Sequence, residues 1–103
     1  MLESKFQAIL IQELYEMFGD EYCVILKNDS GYMQGIPDLV VFYRDRYAML
    51  EVKPKTPTSP DDYEPNQEWY IAHFNRMAFG AMICPENKEE IYSALQQAFG
   101  TRR

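Results

Sequence analysis

The chain has 103 residues, 47% apolar and 15% aromatic, which suffices to fill the core of one domain and leaves nothing for a second. No run of about 18 uncharged apolar residues occurs, and Met1-Leu2-Glu3-Ser4-Lys5-Phe6 lacks the basic and apolar regions of a signal peptide, so neither a membrane span nor secretion is expected and the cytoplasm is the expected location. A net charge of -6 opposes tight binding to phosphates, although residues 44–55 hold four basic side chains against two acidic ones and are locally +2.

Residues 2–18 place Leu2, Phe6, Ile9, Leu10, Leu14, Met17 and Phe18 at helical spacing, with Gly19 where a C-terminal cap belongs. A short β-rich run at 22–27 gives way to Asn28-Asp29-Ser30-Gly31, a turn cluster. Runs at 36–43 and 47–53 flank Arg44-Asp45-Arg46, a gap short enough only for a hairpin. Three prolines between 54 and 64 predict a long loop without regular structure, serving either as a lid over a site or as a spacer. Helical spacing resumes near Pro65, carries Trp69, Ala72, His73, Phe74 and Met77, and is expected to close at Gly80. A short strand at 81–84 and a last helix at 86–99, with Glu86, Glu89 and Glu90 in its first turn, complete the order αβββαβα. Helices interleaved with strands predict an α/β fold with a central mixed β-sheet flanked by helices. Cys23 and Cys84 sit in apolar runs without a Cys-x-x-Cys or paired histidines, and read as reduced, buried hydrophobes.

The chemistry centres on the hairpin. If its turn is centred between Arg44 and Asp45, paired positions add to 89, and Asp38 faces Glu51 directly; Lys53 then lies on the same face as Glu51. The opposite face carries Leu39, Val41, Tyr43, Ala48, Leu50 and Val52, a core surface, which supports this register over a one-residue slip. Two carboxylates brought together repel each other unless a divalent cation neutralises them, and oxygen ligands favour Mg2+ or Mn2+. Such an ion can polarise a phosphodiester and activate water, while a nearby lysine stabilises developing negative charge.

Gly35-Ile36-Pro37-Asp38, a hairpin, and Glu51-Val52-Lys53 resemble the signature of the PD-(D/E)XK nuclease superfamily. Glu3 in the first helix, Gln67 in the second, and residues 69–80 followed by a strand resemble its VRR-NUC branch, which includes stand-alone phage proteins and DNA-repair nucleases. Over residues 1–103 the resemblance implies one nuclease domain with a restriction-endonuclease-like αβββαβα core. It implies a Mg2+- or Mn2+-dependent endonuclease acting on DNA, with branched or four-way-junction substrates as for a Holliday-junction resolvase, and a homodimer in the host cytoplasm. Carried over by position, Asp38, Glu51 and the Val52 carbonyl would bind metal, Glu3 would be a fourth ligand, Lys53 would be the catalytic lysine, and Gln67 would support the site. The proline-rich loop departs from the usual pattern.

Plainer readings stand beside these. Glu3 also fits a carboxylate stabilising a helix dipole, and Gln67 a polar surface residue. Arg44, Arg46 and Lys55 either contact nucleic-acid phosphates or solubilise the hairpin region. His73 reads as a packed or partly exposed residue rather than a general base, and Trp69 as core rather than a base-stacking platform. The rival function is a non-catalytic nuclease-fold binding module, or an accessory subunit of a nucleic-acid repair complex, which the acidity favours.

Overall fold

The computed structural model describes residues 2–29 and 31–100. The elements are α1 (Glu3–Phe18), β1 (Cys23–Lys27), β2 (Leu39–Tyr43), β3 (Arg46–Val52), α2 (Gln67–Met77), β4 (Gly80–Ile83) and α3 (Lys88–Phe99), with a 3-10 turn at Pro60–Asp62. The four strands form one mixed sheet in the order β1-β2-β3-β4. β1, β2 and β3 pair antiparallel, and β4 returns parallel to β3 after α2 crosses over. The fold is α/β, as its alternating helical and strand periodicities require.

The β2–β3 register joins Tyr43 to Arg46, Val41 to Ala48 and Leu39 to Leu50, so paired positions do add to 89. Arg44, at the turn, adopts φ 54, the left-handed conformation that a two-residue hairpin turn needs. Leu39, Val41, Ala48, Leu50 and Val52 are all buried on one face. There they join Phe6, Leu10, Leu14 and Phe18 of α1 with Tyr92, Leu95 and Phe99 of α3 in one core. Phe18 and Phe99 meet edge to face at 5.2 Å, and Glu13 of α1 accepts hydrogen bonds from Lys88 and the Tyr92 hydroxyl of α3. Cys23 and Cys84 are free and buried, and burial pushes the Cys23 thiol pKa up, away from reactivity.

α2 lies on the other face, over β3 and β4, where Phe74 meets Tyr47 edge to face at 6.4 Å. The half of that face formed by β1 and β2 stays open, leaving Val24, Leu26 and Phe42 exposed. At the outer edge of β1 the Ile25 N–H donates to the Tyr15 hydroxyl of α1 at 2.9 Å. Among the described residues, no helix is long and apolar enough to cross a membrane.

Four sequence expectations are corrected. Leu2 caps α1 from outside and is exposed, because the helix buries only the stripe from Phe6 onward. Gly80 does not close α2 but opens β4: a Cβ there would lie 2.4 Å from the Ile71 carbonyl, so the glycine lets helix and strand approach closely. Glu86 precedes α3, whose N-cap is Asn87, and its carboxylate instead accepts from the N–H and hydroxyl of Thr56 at 2.8 and 3.0 Å. The proline-rich segment is not irregular throughout, since Ser59-Pro60-Asp61-Asp62 forms a 3-10 turn closed by a reciprocal Ser59–Asp62 capping box.

Candidate functional site

At the end of the sheet opposite the hairpin turn, Asp38, Glu51, Lys53 and Gln67 come together. Asp38 stands one residue before β2, and its placement has two causes. Asn28 extends the β1–β2 ladder by donating its N–H to the Asp38 carbonyl at 2.8 Å, while its side-chain amide donates to the Pro37 carbonyl at 2.9 Å. Gly35 adopts φ +88 against the chain before α2, where a Cβ would meet the Pro65 carbonyl at 2.4 Å. The Gly-Ile-Pro-Asp segment is thereby wedged between β1 and the start of α2. Asp38 Oδ2 then accepts from the Val52 N–H of β3 at 2.8 Å, so the aspartate is tied across the hairpin to the strand that carries Glu51.

Glu51 is 2% exposed, an unusual place for a carboxylate. Its Oε2 accepts from Gln67 Nε2 at 2.9 Å and lies 3.6 Å from Lys53 Nζ. Its Oε1 is buried with no hydrogen-bond partner, the sole such side-chain oxygen or nitrogen among the described residues. Burial first, and the Asp38 carboxylate second, push its pKa up to about 8, against the opposing pull of Lys53. An uncompensated carboxylate oxygen beside a second carboxylate suits a hard divalent cation, which would relieve both the desolvation and the repulsion.

Gln67, the first residue of α2, is buried at the centre of this network. While its nitrogen donates to Glu51, its Oε1 accepts from Lys53 Nζ at 3.0 Å and from the Glu64 N–H at 2.8 Å. The surface reading of Gln67 is therefore set aside. Lys53 Nζ also donates to the Asp62 carbonyl at 2.9 Å and sits 5.2 Å from the centre of the Tyr63 ring. Asp62 is held in turn by the 3-10 turn, where the Thr58 and Ser59 N–H groups donate to its Oδ2 at 2.7 and 3.2 Å and lower its pKa. The loop at 54–64 is thus a folded strap whose main chain positions the lysine.

Glu3 lies at the periphery. Partial burial and then the Asp38 charge raise its pKa, so it feels the site, but the residue is exposed and no hydrogen bond joins it to Asp38 or Glu51. Among the described residues, no three His, Cys, Asp or Glu side chains converge as a ready-made metal-binding group. The Val52 side chain is in the core, so this residue meets the site through its backbone alone. Beside these groups, Glu3, Lys53, Lys55 and Asp62 line a pocket of about 210 Å³.

The basic residues divide. Lys55 borders the site, whereas Arg44 and Arg46 occupy the hairpin tip, about 20 Å away at 3.3 Å per strand residue. Arg44 packs over the Tyr22 ring at 3.9 Å, and Arg46 donates to the Ala98 carbonyl at the end of α3. The locally positive segment is therefore not one patch. His73 and Trp69 lie on α2 away from the carboxylates, and Trp69 is 57% exposed rather than core. Asn28 and the Asp62 carbonyl escaped the sequence reading, although Ser-Pro-Asp-Asp is itself a legible capping signature.

The site defines an α/β domain that buries a glutamate beside an aspartate, a lysine and a glutamine at one end of its sheet. Compared with known protein families, with curated proteins and with solved structures, the chain matches none.

Proposed function

We propose that the chain is a metal-dependent endonuclease of the PD-(D/E)XK type, similar to the VRR-NUC branch, with a restriction-endonuclease-like core. The observation that carries this reading is the buried, partnerless Oε1 of Glu51 beside Asp38, with Lys53 3.6 Å from the other carboxylate oxygen. Asp38, Glu51 and the Val52 carbonyl would hold Mg2+ or Mn2+, with Glu3 able to contribute from the rim. When bound, such an ion supplies a Lewis acid for the phosphodiester and lowers the pKa of water.

The chain's own groups have separable roles. Gln67 fixes the rotamer of Glu51 by donating to Oε2, and its Oε1 holds Lys53 within reach of the carboxylates. Lys53 places a positive charge where negative charge develops as a phosphate oxygen is attacked. The strap and the Pro37–Asp38 segment keep these groups in fixed positions, which is where preorganised electrostatics gains its advantage over water.

Branched DNA is the substrate and a homodimer the working form that the resemblance implies. The open β1–β2 half-face, with exposed Val24, Leu26 and Phe42, offers an apolar surface suited to a second copy, and a dimer would bring two Lys55-bearing rims to one substrate. Gel filtration with light scattering is expected to give twice the monomer mass.

The test is incubation with supercoiled plasmid and a labelled four-way junction in Mn2+ or EDTA, alongside Lys53→Ala. Metal-dependent cutting that Lys53→Ala abolishes supports the nuclease, and preference for the junction supports the substrate class. The net charge of -6 favours the rival, a non-catalytic binding module or accessory subunit. Calorimetry separates the two, because no heat of binding at millimolar Mn2+ would leave only the rival.

A further inference from the structure

We infer that Trp69 and His73 form a stacking platform for an unpaired nucleobase, so that a single-stranded segment of the substrate crosses the outer face of α2. This rests on the nuclease reading of the neighbouring site and adds to it the state of the strand.

Trp69 is the chain's one tryptophan and is 57% exposed, on a helix whose single buried residue is Gln67. Its indole stacks on the His73 imidazole, with ring centres 4.8 Å apart and planes 13° apart, and the Tyr70 ring meets it edge-on at 5.1 Å. Arg76 Nη2 lies 3.1 Å from His73 Nδ1, and since arginine can only donate, the imidazole accepts there and is held in its plane. More than half of the residue is in solvent, so the indole keeps open surface beyond its contacts with His73 and Tyr70. An apolar ring fixed on two sides and open on the third has already given up its rotamer freedom, which lowers the entropic cost of receiving a flat partner.

Position selects a base as that partner. Trp69 follows Gln67 by two residues, a rotation of about 200° that puts it across the helix, a helix diameter of about 10 Å from the side that meets Glu51, or the span of roughly three stacked bases. Arg76, exposed on the same side, supplies a cation for the accompanying phosphate. A duplex hides its base faces within the stack, whereas an unpaired base presents one. Stacking of this kind needs no particular sequence, because every base has a π face.

The experiment titrates the protein in EDTA with an oligothymidylate of about 12 nucleotides, within the range of single-strand site sizes, and reads the emission of Trp69. The expected result is saturable quenching by the single strand and little by a duplex of equal length. Anisotropy of a labelled oligonucleotide should show Kd rising about tenfold in Trp69→Ala and less than threefold in Trp69→Phe, which keeps a π face. Both variants change an exposed residue and should melt as the parent does. Absent quenching, equal quenching by duplex, or an unchanged Kd in Trp69→Ala would each overturn the platform. Plasmid cleavage in Mn2+ separates the two ideas. Cutting without quenching removes the platform alone, and quenching without cutting removes the nuclease reading while the platform stands as a single-strand binding surface.

Discussion

The side-chain amide of Gln67 donates to Glu51 Oε2 at 2.9 Å, while its carbonyl oxygen accepts from Lys53 Nζ at 3.0 Å. One residue thereby fixes the spacing of an acid near the end of β3 and a base one residue beyond it. Because the amide has opposite ends, it cannot be flipped without losing both bonds.

Gln67→Ala removes a donor and an acceptor from a buried network and leaves Glu51 and the Glu64 N–H short of partners. The expected loss is roughly 1–3 kcal/mol in urea unfolding, with plasmid cutting reduced about 10-fold or more. Unchanged stability would mean that the network does not persist in solution.

Burial and the neighbouring Asp38 carboxylate push the Glu51 pKa from an ordinary 4.5 up to about 8. The folded state therefore holds more protons between these values. Its contribution to stability is greatest below pH 4.5, falls as pH rises through the window, and is level above pH 8. Divalent metal must displace that proton, so the rise in Tm on adding Mn2+ should grow from pH 6 to pH 8.5. Glu51→Gln should flatten the pH slope, abolish the response to Mn2+ and, above pH 8, melt higher than the parent. Differential scanning fluorimetry across the pH series measures all three, and a slope that persists in Glu51→Gln would assign the effect elsewhere.

Gly35→Ala combines a positive φ with a Cβ 2.4 Å from the Pro65 carbonyl. Destabilisation of roughly 2–4 kcal/mol is expected from strain and overpacking together. Asp38 should lose its registry with Val52, so metal binding by calorimetry should weaken even where the variant remains folded. A variant that binds Mn2+ as tightly as the parent would show that Asp38 is held by the hairpin alone.

Lys55 borders the site and Arg44 does not. Lys55→Ala should weaken DNA binding and reduce the salt slope by about one, the signature of a lost phosphate contact. Arg44→Ala should leave both within about twofold and instead lower Tm slightly through loss of the Tyr22 contact. Equal effects from the two would mean that DNA reaches along the full hairpin.

Much of this site was readable in the chain because strand alternation is strict. The apolar set at 39, 41, 48, 50 and 52 fixed the face, a two-residue turn fixed the register, and together they brought Asp38 to β3 beside Glu51. What alternation could not reveal were contacts made by backbone groups far along the chain, such as the Asp62 carbonyl on Lys53 or the Asn28 clamp on Pro37. The exposure of Trp69 was not legible for another reason: helical spacing records which residues share a stripe, not how wide a stripe the sheet covers, and α2 lies over β3 and β4. Arg44 and Arg46 are close to Lys53 in sequence but at the far end of the hairpin, because seven residues of extended strand carry the chain the length of the sheet.

The Tyr15 hydroxyl on the Ile25 N–H interrupts the outer margin of β1 at its midpoint. A run such as Cys-Val-Ile-Leu-Lys would otherwise be a template on which foreign strands could stack into fibrils, having neither proline nor a bulge to deter them. By occupying the central amide, the first helix acts as a guard against runaway assembly.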